Sequence, residues 1–115
     1  ERHMTVKGLN ASVYAKKEFG TKMDYTANNV ANSLSVEYKK SRVLMTEKAD
    51  NQGVTVNISR IDTPGVKNLY GEELSNVDIA EEMSSMIVTQ NGLDANAAAF
   101  KTMDEMAGSI IDIAE

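Results

Sequence analysis

From Val6, apolar residues recur at alternating steps of three and four: Leu9, Val13, Met23, Ala27, Val30 and Leu34 share one stripe, interrupted by Lys16 and Gly20. That period is helical, so residues 4–37 are predicted to form an N-terminal helix. Gly8 and Gly20 each cost about 1 kcal/mol relative to alanine in a helix interior, so this element needs a packing partner. A second stripe runs through Ile79, Met83, Met86, Gln90, Leu93, Ala97 and Phe100, then steps early to Met103, Ala107 and Ile110. It drifts as a 3.6-residue helix requires and predicts a C-terminal helix over 75–115. Ser75 is the expected cap, with Asp78 three residues on as its reciprocal partner, and Asp78, Glu81 and Glu82 fall where the helix dipole favours negative charge.

Between the helices the period changes to two. Val54, Val56 and Ile58 alternate with polar residues, which predicts a strand, and Val43 and Met45 within 41–47 supply an antiparallel partner across the turn-rich segment 49–53. Pro64-Gly65 has the order of a type II turn. A two-stranded hairpin is marginal in water, so it must lean on the helices or on another chain. The expected fold class is therefore mainly α with a small β-hairpin. Its two long terminal amphipathic helices pack as an antiparallel or intermolecular coiled coil. Residues 4–115 read as one domain, with 38–74 as the hairpin and loop, and 1–3 as an expression remnant before Met4.

Composition narrows the chemistry. The chain has no cysteine, no tryptophan and one histidine, His3, inside the presumed remnant. The usual zinc ligands, the Ser-His-Asp base and a thiol couple are thus lacking, and no catalytic, cofactor-binding or metal-ligating residue is expected. A net charge of −5 disfavours nucleic acid, whose phosphates call for a basic stripe. Lys39, Lys40 and Arg42 are the one basic cluster, expected to be a solvated helix end. No run reaches the ~20 apolar residues of a membrane span, and no basic-then-apolar leader follows Met4, so membrane insertion and a cleaved signal are not expected.

Two stretches carry a resemblance. Ala27-Asn28-Asn29-Val30-Ala31-Asn32, followed by Tyr38-Lys39-Lys40-Ser41-Arg42-Val43, resembles the N-terminal signature of bacterial flagellar axial proteins, the rod and hook family. The run from Asn76-Val77-Asp78-Ile79 to Met83, then Gln90, Asn96-Ala97, Asp104-Glu105-Met106 and Ile110 to Ile113, is similar to that family's C-terminal segment. The short middle is most like a short proximal rod protein. Where the family has Pro-Gly before the Tyr, this chain has Val36-Glu37, so the first helix is expected to run on.

The resemblance implies a non-enzymatic structural subunit of the basal-body rod in the periplasm, exported without a cleaved signal. Its implied partners are other rod subunits, copies of itself in a homo-oligomer, and the export apparatus. The expected assembly surface comprises Leu9, Val13, Met23, Ala27 and Val30 with Asn28, Asn29 and Asn32 on the first helix. On the second it comprises Asn76, Asp78, Ile79, Met83, Met86, Gln90, Leu93, Asn96, Ala97, Phe100, Met103 and Ile110. From capping preference alone the three Asn residues also read as a helix end. The alternative function is a small helical-hairpin adaptor or secreted protein that binds a partner helix.

Overall fold

The computed structural model describes residues 2–49 and 53–114, with side chains from Lys7 to Ile113. Val6 of the first stripe and Asp50 to Gln52 of the predicted turn therefore lie outside the described side chains and residues. Four elements follow in order: α1 (Arg2–Ala31), β1 (Ser41–Glu47), β2 (Val54–Arg60) and α2 (Ile79–Ala114). The chain measures 74 × 24 × 14 Å, and its radius of gyration of 19.3 Å exceeds the ~13 Å of a compact domain of this length. It is a strut, with the helices lying antiparallel.

Among the described residues no apolar side chain is buried; the buried ones are Ser12, Thr26, Asn29, Ser75, Glu82 and Thr89. The contact between the helices is mostly polar, with Phe19 and Met103 filling the space over two glycines. On α1 it follows Gly8, Ser12, Phe19, Thr26 and Asn29, and on α2 Glu82, Thr89, Gly92, Asn96 and Met103, both at heptad spacing. Ser12 Oγ donates to Asn96 Oδ1 (2.9 Å) and Asn96 Nδ2 donates to the Ser12 carbonyl (2.8 Å). Phe19 lies so close to Gly92 that a Cβ there would come within 2.6 Å of its ring. Gly8 likewise makes room for the Met103 sulfur, so this glycine serves the helix contact as well as weakening the helix.

This seam does not follow the apolar stripe. On α1 it is displaced by one residue, about 100° of helix rotation, from the apolar stripe. Val13, 53% exposed, consequently lies beside the contact. Periodicity finds the most apolar face of a helix, whereas the helices here meet through groups that pair specifically or permit close approach.

The helix ends also move. α1 stops at Ala31, where Asn32 N bonds to the Asn28 carbonyl (3.1 Å) and Asn32 Nδ2 to the same oxygen (2.9 Å). The expected run through Glu37 does not occur, and Leu34 stands exposed in the turn that follows. Glu37 takes a left-handed backbone, φ 59°. The chain turns out of the helix here despite a residue that disfavours this backbone. At the other helix the cap is Asp78, not Ser75: Asp78 Oδ1 accepts from Ala80 N (3.0 Å) and its carbonyl from Glu82 N (3.0 Å). Ser75 Oγ instead accepts from Val77 N in a buried turn.

β1 and β2 pair antiparallel, with Val43 opposite Ile58 and Met45 opposite Val56. The hairpin folds back along α1: Ser41 sits beside Asn29, Gly53 (φ 102°) passes Ala11 and Tyr14, and Lys48 Nζ lies 4.4 Å above the Tyr14 ring. A second excursion, 66–74, closes through Leu74 N to the Val66 carbonyl (2.8 Å) and Asn68 N to the Glu72 carbonyl (2.9 Å). Its positive φ belongs to Gly71 (80°). The expected Pro64-Gly65 turn is therefore not type II, and Gly65 instead lets the Leu74 carbonyl pass close by.

Candidate functional site

Two regions concentrate the functional residues. The first is a polar node where the end of α1, the root of β1 and the start of α2 meet. Asn29 Oδ1 accepts from Ser41 N (3.0 Å) and from the Tyr38 hydroxyl (2.9 Å), while its Nδ2 donates to the Ser41 carbonyl (2.9 Å) and to Glu82 Oε2 (3.3 Å). Arg42 Nη1 reaches Glu82 Oε1 at 3.0 Å and the same guanidinium pairs with Glu81, which Lys40 also approaches at 3.5 Å. Glu82 is completely buried. A carboxylate so placed is tolerable only because its oxygens meet a guanidinium and an amide N–H.

Asn76 extends the node. Its Oδ1 accepts from Lys40 N (2.7 Å), and its Nδ2 donates to the carbonyls of Ile61 (2.7 Å) and Thr63 (3.0 Å). Lys39 pairs with Glu73, whose Oε1 also accepts from Gly65 N (3.0 Å). The Lys39 hydrogen bond, and then that amide, hold the Glu73 carboxyl below its ordinary value. Burial, followed by the charge of Glu82, pushes the Tyr38 phenol up. The expected solvated basic cluster is thus corrected: Lys39, Lys40 and Arg42 are mostly covered and each pairs with an acid from beyond residue 72. Likewise, Glu81 and Glu82 do more than answer a helix dipole, because they anchor β1.

The second region is the face of the helix pair turned away from the hairpin. Neighbouring the seam, Val13 and Lys16 of α1 and Leu93, Asp94, Ala97 and Phe100 of α2 line a groove of about 440 Å³. By helical periodicity Met23, Ala27 and Val30 continue this face on α1, and Met83 and Met86 on α2. Met83 is 52% exposed, and Ile79, Ala97 and Phe100 also count as exposed. Leu9, Met23, Val30, Met86, Leu93 and Ile110 are half-buried, Ala27 and Asn28 exposed, and Gln90 exposed with its amide on Asp94 Oδ1 (3.0 Å). Isolated exposed apolar residues are ordinary, but a contiguous two-helix patch is a signature of an interface.

The proposed surface set therefore divides. Asn29, Asn96 and Met103 lie in the seam, Asn76 and Asp78 shape the α2 entry, and Asn28 and Asn32 close α1; the apolar members face outward. Sequence reasoning passed over Ser12, Phe19, Thr26 and Thr89, and it noted Tyr38, Arg42 and Glu82 without placing them in contact. The signal was there in two heptad repeats, Ser12-Phe19-Thr26 and Glu82-Thr89-Asn96, polar at every position but Phe19. Thr89 is fully buried, and its hydroxyl has no hydrogen-bond partner among the described residues. Among the described residues no group of three or more His, Cys, Asp or Glu is placed to hold a metal, and no helix is long and apolar enough to cross a membrane.

Residues 72–113, the α2 helix with its capping loop and outward stripe, match the family described as flagellar basal body rod FlgEFG protein C-terminal. Over this segment the chain is similar to the flagellar axial proteins. It is 44% identical over 39 residues to flagellar hook protein FlgE of Borreliella burgdorferi, covering 34% of this chain and 9% of that one. To the hook protein FlgE of Treponema pallidum it is 32% identical over 68 residues, 57% of this chain and 14% of that one. The chain thus spans only a small part of the length of these axial relatives. Within the matched axial segment, Asn76, Asp78 and Glu82 build the node, and Met83, Leu93, Ala97 and Phe100 form the exposed stripe.

Proposed function

We propose that the chain is a structural, non-enzymatic subunit of the bacterial flagellar rod that assembles with copies of itself and with other rod subunits. One observation carries the reading: the segment similar to axial proteins presents an apolar stripe that its own helix partner leaves uncovered. Helices that already satisfied each other would hide such a stripe in their seam. Here the seam is mostly polar, and the apolar face is free for neighbours. The expected assembly surface thus reduces to Val13, Met23, Ala27, Met83, Leu93, Ala97 and Phe100 and their flanks.

In this reading the protein passes through the flagellar export apparatus without a cleaved signal and resides in the periplasmic rod. A second position, the hook, is favoured by the names of the two relatives. Purified hook–basal bodies carrying an epitope-tagged chain separate these outcomes by immunogold labelling. Label on the rod supports the proposal, and label on the hook moves the subunit outward along the same axis. Absence from the particles, with a soluble monomer capturing a foreign helix instead, favours the adaptor reading and ends the axial one.

A further inference from the structure

The turn at the tip of the 66–74 excursion is built by its own hydrogen bonds. Asn68 Oδ1 accepts from the amides of Tyr70 (2.9 Å) and Glu72 (3.0 Å), and Gly71 N bonds to the Asn68 carbonyl (3.1 Å), so the loop has a defined shape. That shape holds Leu69 and Tyr70 in water, 102% and 90% exposed. A hydrogen-bonded turn displaying an aromatic and a leucine side by side is a knob, and tyrosine is among the residues that anchor interfaces.

The groove between Val13, Leu93, Ala97 and Phe100 is a matching hole. Its volume of about 440 Å³ lies in the range that receives compact organic groups. The charges also correspond: Lys16 and Asp94 line the groove, and Lys67 and Glu72 flank the knob. Each surface thus carries one charge of either sign, so neither repels the other by net charge. One chain cannot satisfy itself in this way. The excursion is tied to the end of α1 by Glu37 N to the Glu73 carbonyl (2.9 Å), and the helix from Val13 to Ala31 spans about 27 Å.

We infer that the Leu69-Tyr70 knob of one copy docks into the Val13–Leu93–Ala97–Phe100 groove of the next. Knob and groove are different surfaces, so a contact not reciprocated within one pair is head-to-tail and leaves a knob and a groove free to extend the assembly. This rests on the reading of the chain as a self-assembling axial subunit, and it supplies the contact that propagates the assembly.

The absence of cysteine allows a direct test by disulfide trapping. Full-length Leu69→Cys and Ala97→Cys chains are mixed under mild oxidant, beside a control mixture of Leu69→Cys and Glu105→Cys, whose second position is exposed on α2 outside the groove. The docked pair should cross-link at least about tenfold faster than the control, as a local effective concentration requires. Adding Tyr70→Asp to the first chain should bring the rate down to the control with circular dichroism unchanged. Equal rates in the two mixtures overturn the docking. Failure here with the chain still present in hook–basal bodies leaves the axial reading standing, whereas selective trapping of a chain absent from those particles leaves the docking standing without it.

Discussion

The two sides of each helix obey opposite rules. On the inner side, Ser12 exchanges hydrogen bonds with Asn96 and Asn29 donates one to Glu82, in a seam that buries no apolar side chain among the described residues. On the outer side, Val13, Met83, Ala97 and Phe100 expose the surface that ordinarily drives folding. Polar pairs are modest in net energy but demanding in geometry, so they fix which helix pairs with which and in what register. Apolar area is large in energy and tolerant of geometry, which suits contacts repeated among many subunits. In the proposed function, the molecule keeps specificity for itself and offers hydrophobic area to its neighbours.

The inner side should be the more fragile under mutation. Arg42→Met removes the cation facing buried Glu82, and breaking such a pair costs about 3 kcal/mol or more. Urea denaturation of the variant should show that loss, and an unchanged midpoint would place Glu82 in contact with water. Next in size, Gly92→Ala drives a methyl against the Phe19 ring. Overpacking of this kind costs about 1–3 kcal/mol, read in the same denaturation series.

A change at the hinge between the regions should act in the other direction. Glu37→Gly relieves a left-handed backbone that disfavours residues with a Cβ, and should stabilise by about 1 kcal/mol. A loss of stability there would mean that the Glu37 side chain earns its place. Smallest is the pH response of the node. Glu73 titrates below its ordinary value of 4.5, so its contribution is whole above that pH and disappears as pH falls through the lowered value. Tyr38 titrates above 10.0, so its contribution is whole below pH 10.0 and is lost as pH rises through the raised value. Thermal melts across pH should narrow on both sides, and Glu73→Gln should remove its share of the acid limb.

The elements themselves were legible, because long 3.6-residue stripes and a short alternating run leave little choice of helix or strand. Their partners were harder to read. The basic cluster 39–42 looks solvated until Glu73, Glu81 and Glu82, more than thirty residues away in sequence, are brought against it by the fold. Asn29 looks like a helix terminator, yet its neighbour Asn32 closes the helix while Asn29 turns inward to hold Tyr38, Ser41 and Glu82. The apolar stripe left open whether the helices pair within the chain or between chains, and the structure pairs them within it through a different face. A pattern reports which face is apolar, but it does not say whether the face is meant for the chain itself or for another molecule.

That distinction is what sedimentation equilibrium tests most directly, on the chain, on Arg42→Met, and on the double variant Val13→Asp/Met83→Asp. The double variant should remain folded, with thermal stability close to that of the parent, because both positions are more than half exposed. It should also lose concentration-dependent association by about tenfold or more, as charges placed in an apolar interface require. Arg42→Met should show the reverse, a lowered melting temperature with its outer face intact. A double variant that unfolds, or one that associates as strongly as the parent, would contradict the assignment of the outer face to assembly.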